Sequence, residues 1–94
     1  NRAAVDERTD IFSTGVVLYE TTALREPFRG RVIQETFENI LHDTPPPPSA
    51  LRTEGKIPPA LDAVIMKAIE KNPADRFQTM RQMLDALRAV EFPE

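Results

Sequence analysis

Apolar residues dominate one stretch near the beginning of the chain, residues 11–19, where only Ser13 and Thr14 are polar. On a helical wheel the apolar positions of this stretch leave no wide polar face. A helix that is apolar on all sides is normally buried among other elements. The pattern therefore predicts a central, buried helix over about residues 10–23.

A buried strand is the competing prediction for this stretch, because its valines and its tyrosine favour β structure. The length of the stretch favours the helix. Thr9 or Asp10 can also cap a first helical turn with a side-chain oxygen. Residues 1–9 show no apolar period, so we expect an incoming segment there.

Three further segments, 32–42, 59–71 and 79–90, carry apolar residues at helical spacing along one side. These stripes consist of Ile33, Phe37, Ile40 and Leu41, then Leu61, Val64, Ile65, Ala68 and Ile69, and finally Met80, Met83, Leu84, Leu87 and Val90. Thr79 and Gln82 form a capping box at the start of the last segment. The sequence thus predicts an all-α chain of four helices.

Four consecutive prolines at 45–48 favour the extended polyproline II conformation. Such a rod could bind an aromatic groove of another protein. A stiff connector is the favoured interpretation, because no second proline motif flanks the run. Residues 49–57 then form a polar loop.

Composition removes several function classes. The net charge is −3 with both signs mixed along the chain, which gives no support to nucleic-acid binding. The absence of cysteine excludes disulfides and thiolate zinc sites. No apolar run is long enough to span a bilayer, and the first residues do not form a signal peptide. We expect a cytoplasmic location for this segment, which leaves room for a membrane anchor elsewhere in a longer parent.

The predicted core is too small for the predicted central helix. The three stripes are narrow, and leaving one face of the central helix in water would cost several kcal/mol, comparable with the stability of a small domain. We therefore expect the chain to be part of a larger fold. On its own it should self-associate or bind a hydrophobic dye through the uncovered core.

Four short motifs occur in order: VDERTDIFS at 5–13, GVVLYE at 15–20, PF at 27–28 and AIEKNPADRF at 68–77. As an ordered set they resemble the C-terminal part of the large lobe of a protein kinase, of the bacterial, eukaryotic-like Ser/Thr type. One departure is that Ala23-Leu24 replaces Thr-Gly in the family's T-G-x-x-P-F. Because leucine enters left-handed conformations less cheaply than glycine, this predicts a differently shaped helix exit or a longer helix.

The resemblance implies a partial protein kinase domain over 1–94, the helical part of an α+β fold. Its parent would transfer the ATP γ-phosphoryl to Ser or Thr with ATP and Mg²⁺ bound. The glycine-rich loop and the H-R-D and D-F-G motifs that such chemistry needs are absent from this chain. The segment alone is therefore predicted inactive, a scaffold and substrate-docking region. There are two alternatives: a stand-alone helical interaction module derived from such a lobe, and a pseudokinase.

The resemblance also assigns roles to three residues, while no catalytic, cofactor-binding or metal residue is predicted. Asp10 would hold the backbone of the catalytic loop, with a simple helix cap as the alternative. Arg76 would pair with the glutamate of the A-P-E motif, with a solvated surface arginine as the alternative. Glu20 would contact a basic residue of the peptide substrate, although a solvated carboxylate is the favoured interpretation.

The segment 32–42 corresponds to the family's substrate- and partner-docking helix. Charged residues that could make such contacts are Arg29, Arg31, Glu35 and Glu38. Charged faces are usually only solvated, and His42 is expected to be structural or exposed. The partners implied are the remainder of the kinase domain and a protein substrate.

Overall fold

The structure is a computed structural model that describes residues 2–92, without the side chains of residues 2–6 and 54. Five α-helices follow one another: α1 (Arg2–Ala23), α2 (Ile33–His42), α3 (Pro48–Leu51), α4 (Pro59–Ala68) and α5 (Met80–Arg88). Single 3-10 turns lie at Thr53–Gly55 and Pro73–Asp75. Since residues 2–92 contain no strand, the all-α prediction is confirmed there.

α1 begins at Arg2, well before the predicted start. The prediction that Thr9 or Asp10 caps this helix is therefore wrong, and residues 2–9 are its first turns. Two alanines, two arginines and one glutamate in this segment favour helix without any apolar stripe. Glu7 reaches across to α5, where its carboxylate accepts a hydrogen bond from the Met80 N–H at 2.7 Å.

The described residues bury α1 along one side only, and burial of its other sides within a larger fold stays a prediction. Ile11, Tyr19 and Ala23 are buried, at four- and eight-residue spacing, and Gly15 lies between them on the same side. Val17 is 59% exposed. The Cα atoms span 40 × 34 × 16 Å, and the smallest dimension is about that of two packed helices. Within the described part of the chain, α1 therefore has a helical layer on one side and none on the other.

The layer on the buried side of α1 is formed mainly by α4, with α3 and α5 beside it. All five residues of the predicted α4 stripe are buried, and Ile65 and Ala68 have no exposed surface. In α5, Met83 is fully buried, as predicted, and Val90 just beyond the helix is also buried. α4 ends at Ala68, a little before the predicted end at 71.

α2 forms close to its predicted bounds, but its apolar stripe does not face the core. None of its residues is buried. Ile33, Phe37 and Leu41 are all more than 60% exposed, and only Ile40 packs against the core from a half-buried position. Helical periodicity identified the helix correctly and its buried face wrongly, because periodicity does not specify what lies opposite the stripe.

The proline run connects α2 to α3 and is partly packed against the body. Pro45 and Pro48 are buried, whereas Pro46 and Pro47 are exposed. Pro48 is the first residue of α3, a short helix that the sequence pattern did not predict. The Tyr19 hydroxyl donates a hydrogen bond to the Pro46 carbonyl oxygen at 2.5 Å. These contacts favour the connector over a free rod.

The exit from α1 differs from both sequence-based alternatives. The helix ends at Ala23, as predicted, and Leu24 adopts φ 60°, the left-handed conformation that glycine favours. Its N–H donates to the Glu20 carbonyl oxygen at 2.9 Å, which closes the last turn. Leu24 therefore adopts the conformation that the family's glycine would have, and its backbone is strained as a result.

Candidate functional site

Arg76 lies in the linker between α4 and α5 and is held by backbone carbonyl groups. Its Nε donates to the Glu70 carbonyl oxygen at 2.8 Å, and its two Nη atoms reach the carbonyl oxygens of Arg8 at 3.3 Å and Lys71 at 3.4 Å. The guanidinium also lies 4.7 Å from the centre of the Phe12 ring. Arg76 is therefore half-buried and fixed, which excludes the solvated surface arginine.

Arg8 stands next to Arg76 and was not singled out from the sequence. Its Nη1 contacts Gln78 at 3.4 Å, while its buried Nε has no hydrogen-bond partner within the described part of the chain. Burial lowers the pKa of Arg76, and the charge of Arg8 lowers it further. Among the described side chains, no carboxylate pairs with either of these two neighbouring cations. An anion would stabilise such a site. The only sequence signal for Arg8 was its place in the first motif.

Asp10 lies exposed within α1, on the helix side that the described helices do not cover. With the capping role excluded, a contact to a loop outside this chain stays a prediction. Glu20 is also exposed, in the last turns of α1. The structure thus places Asp10 and Glu20 two to three helical turns apart on one helix, and it brings only Arg76 of the three predicted residues into a defined cluster.

Two open grooves meet near Glu20. The larger has a volume of about 640 Å³, and its lining is mostly charged: Glu20, Leu24, Arg25, Glu26, Arg29, Gly30, Arg31 and Glu35. The smaller, of about 340 Å³, is mainly apolar and is lined in part by Phe12, Val16, Phe28 and Ile40. Glu20 borders both grooves. The charged groove is lined by acidic and basic side chains in equal number, so its lining has no single sign of charge.

The charged residues near α2 form exposed ion pairs. Arg31 and Glu35 are 3.3 Å apart, and Arg29 and Glu26 are 3.8 Å apart. His42 lies 3.7 Å from Glu38 and is exposed, as expected. Such pairs contribute little to stability. They therefore leave these side chains available to other partners.

Neither a metal centre nor a membrane span is found where the structure is described. Among the side chains that the structure describes, no three from His, Asp or Glu come close enough to hold a metal ion. No helix among the described residues combines the length and apolar character that crossing a bilayer requires.

Comparison with known proteins finds similar sequences for most of the chain. No protein-family model matches the chain. Serine/threonine-protein kinase PknB of Mycolicibacterium smegmatis is 40% identical over 89 residues, which is 93% of this chain and 14% of that kinase. Over most of its length the chain is similar in sequence to bacterial serine/threonine-protein kinases.

Two further kinases show the same relationship. Serine/threonine-protein kinase pkn3 of Myxococcus xanthus is 33% identical over 93% of the chain and 16% of its own length. PknB of Mycobacterium tuberculosis is 43% identical over 85% of the chain and 12% of its own length. The chain thus spans less than a fifth of each of these kinases. The all-helical structure and the similarity over most of the chain are consistent with a C-terminal fragment of a kinase domain.

Proposed function

We propose that this chain is the final part of the large lobe of a serine/threonine protein kinase. In the parent, which would transfer the ATP γ-phosphoryl to Ser or Thr of a protein, the segment would act as a scaffold. ATP and Mg²⁺ would be bound by parts of the parent outside these 94 residues. The segment itself would not catalyse phosphotransfer, because the glycine-rich loop and the catalytic motifs are missing from its sequence.

The observation that carries the proposal is the paired, half-buried guanidinium groups of Arg8 and Arg76. A cation removed from water is costly unless an anion or hydrogen-bond acceptors compensate it. Carbonyl oxygens and the Phe12 ring compensate Arg76 in part, while the buried Arg8 Nε has no acceptor among the described residues. A glutamate from the activation segment of the parent would supply the missing negative charge to both arginines.

The uncovered side of α1 supports the same proposal. Val17 and Asp10 lie on the exposed part of the helix, where the remainder of a kinase domain would pack. Asp10 would there accept hydrogen bonds from the catalytic loop. Glu20 and the two grooves beside it would face the peptide substrate, and α2 would contribute to docking. In isolation the same surfaces would favour self-association of the chain.

The proposal is tested by phosphotransfer from γ-labelled ATP to a generic Ser/Thr protein substrate, using the full-length parent protein. Arg76→Ala should lower kcat/KM by roughly 10²-fold, because the activation segment would lose its anchor and misplace the substrate. Arg81→Ala is the matched control, since Arg81 is exposed on α5. Equal activities of the two variants would contradict the anchoring role of Arg76.

The alternative functions predict other results. A stand-alone interaction module requires that the gene encode no kinase motifs upstream of Asn1, which sequencing of the reading frame decides. A pseudokinase requires those motifs to be present but damaged, with no phosphotransfer by the unmodified parent. Either result would overturn an active parent kinase.

A further inference from the structure

α2 sits at the surface with little apolar burial to hold it. None of its residues is buried, and Ile33, Phe37 and Leu41 are 74%, 61% and 62% exposed. Burial of an apolar face is the main force that fixes a helix on a protein. Apart from the half-buried Ile40, which packs against the core, the position of α2 therefore depends on a few directional contacts.

Two of these contacts join α2 to the segment that leads into it, residues 28–30. The Asn39 side-chain amide donates to the Phe28 carbonyl oxygen at 3.0 Å, and the Gly30 N–H donates to the Thr36 hydroxyl at 2.8 Å. Both partners lie close to α2 in sequence. These bonds fix α2 on its own approach segment, and they do not attach this unit to α4 or to the linker that follows α4.

Lys71 connects α2 to the linker that follows α4, which is distant from α2 in the sequence. Its Nζ donates to the Asn39 carbonyl oxygen at 3.2 Å, near the C-terminal end of α2, where helix carbonyl groups favour a cation. The same Nζ lies 3.9 Å from the centre of the Phe28 ring. Burial lowers the pKa of Lys71, with Asp43 opposing the effect. A partly desolvated ammonium group interacts more strongly with a ring face than a solvated one does.

The Phe28 ring continues this contact toward the core. It is 5% exposed and stacks on Phe12 of α1 with a centroid distance of 5.9 Å and an angle of 10° between the planes. Arg76 lies against Phe12 in turn, 4.7 Å from its ring centre. Lys71 thus connects α2 to the Phe28 ring, which is buried in the core and stacks on the half-buried Phe12.

We propose that Lys71 is the positioning residue that holds α2 on the protein. Without its ammonium group, α2 should loosen, while α1, α4 and the buried Phe28 stay in place. The inference concerns the mechanics of this fold and does not rest on the proposed kinase function. It would make α2 a separately movable element whose position one side chain sets.

Hydrogen–deuterium exchange followed by mass spectrometry, on the full-length protein that carries this chain, tests the proposal. Lys71→Met keeps the aliphatic stem and removes the charge and the donor. We expect amides of 33–42 to exchange roughly 5-fold faster in this variant, with unchanged exchange in α1 and α4. Lys71→Arg should restore slow exchange, because it restores a cation and donors.

Lys67→Met is the matched control. Lys67 also lies over an aromatic ring, that of Phe77 at 5.1 Å, but this contact does not involve α2. The proposal is overturned if Lys71→Met leaves the exchange of 33–42 unchanged, or if Lys67→Met accelerates it equally. Faster exchange in α1 and α4 as well, or no rescue by Lys71→Arg, would also overturn it. The measurement needs no phosphotransfer, so it stands apart from the test of the kinase proposal.

Discussion

Gly15 of α1 and Ala68 of α4 approach each other so closely that a Cβ atom on Gly15 would lie 2.7 Å from the Ala68 Cβ. The same atom would lie 2.8 Å from a methyl group of Ile69. α1 and α4 make the main helix contact of the protein. The two small residues therefore set the distance between the helices that form its core.

Gly15→Ala should destabilise the protein by about 1–3 kcal/mol, because the added methyl group forces α1 and α4 apart. The gain in helix propensity, at most about 1 kcal/mol, offsets this only in part. Gly55→Ala is the control, since its nearest neighbours would be 3.7 Å away. Denaturant unfolding measures both variants, and an equal effect of the two would contradict the close packing at Gly15.

Leu24→Gly should stabilise the protein by roughly 0.5–1 kcal/mol. Leucine at φ 60° carries backbone strain of about 1–2 kcal/mol, which glycine would remove. Glycine also raises the conformational entropy of the unfolded chain, and this offsets part of the gain in stability. Leu24→Ala keeps the strain and removes only a side chain that is 69% exposed, so it should be nearly neutral. Thermal unfolding compares the variants. A lower melting temperature for Leu24→Gly would refute the strain.

Tyr19→Phe should cost about 1–2 kcal/mol at pH 7, through loss of the buried hydroxyl's bond to Pro46. The cost should depend on pH. Burial raises the pKa of the Tyr19 phenol, against the opposing charge of Arg25. The unfolded chain then releases the phenolic proton first, so stability from this group is complete below about pH 10 and falls as pH rises further.

The difference in unfolding free energy between the unmodified protein and Tyr19→Phe, measured from pH 7 to 11, isolates this group from the lysines. The difference should be constant up to about pH 9 and shrink above about pH 10. A difference that grows with pH would mean that the folded protein favours the phenolate.

Val17→Lys distinguishes an isolated chain from one that packs into a larger domain. Val17 is 59% exposed, so in the 94-residue chain the substitution should change stability by less than about 0.5 kcal/mol. In the full-length parent, burial of the new charge against the missing part of the lobe should cost several kcal/mol. Unfolding measured in both contexts checks this, and equal effects would mean that nothing covers this side of α1.

Sequence patterns predicted helix caps and apolar stripes well where residues close in the sequence determine the structure. The Thr79 hydroxyl accepts from the Gln82 N–H at 3.1 Å, as the capping box requires, although the Gln82 side chain accepts from Gln78 N–H instead of Thr79. The α4 stripe is buried as predicted. The start of α1 was missed because its first turns form a helix from good helix formers, without the apolar period that the prediction required.

The candidate site was only partly predictable. Arg76 was identified through a motif, whereas its partners Phe12 and the Arg8 carbonyl lie more than 60 residues earlier in the chain. The contact of Lys71 with Phe28 had no sequence signal at all. Such contacts depend on how segments distant in sequence pack together, and neither residue spacing nor composition predicts this packing.

In the apolar stretch of α1, the sequence and the tertiary structure determined different properties. The sequence alone determined that a helix forms there, because side-chain spacing and propensity act over a few residues. That 94 residues are too few to surround this helix stays a prediction. Only the tertiary structure decided which side is covered. Gly15 lets α4 approach on one side, and Val17 on another side stays exposed. Which face of a helix is buried depends on the elements that reach it, and these come from elsewhere in the chain.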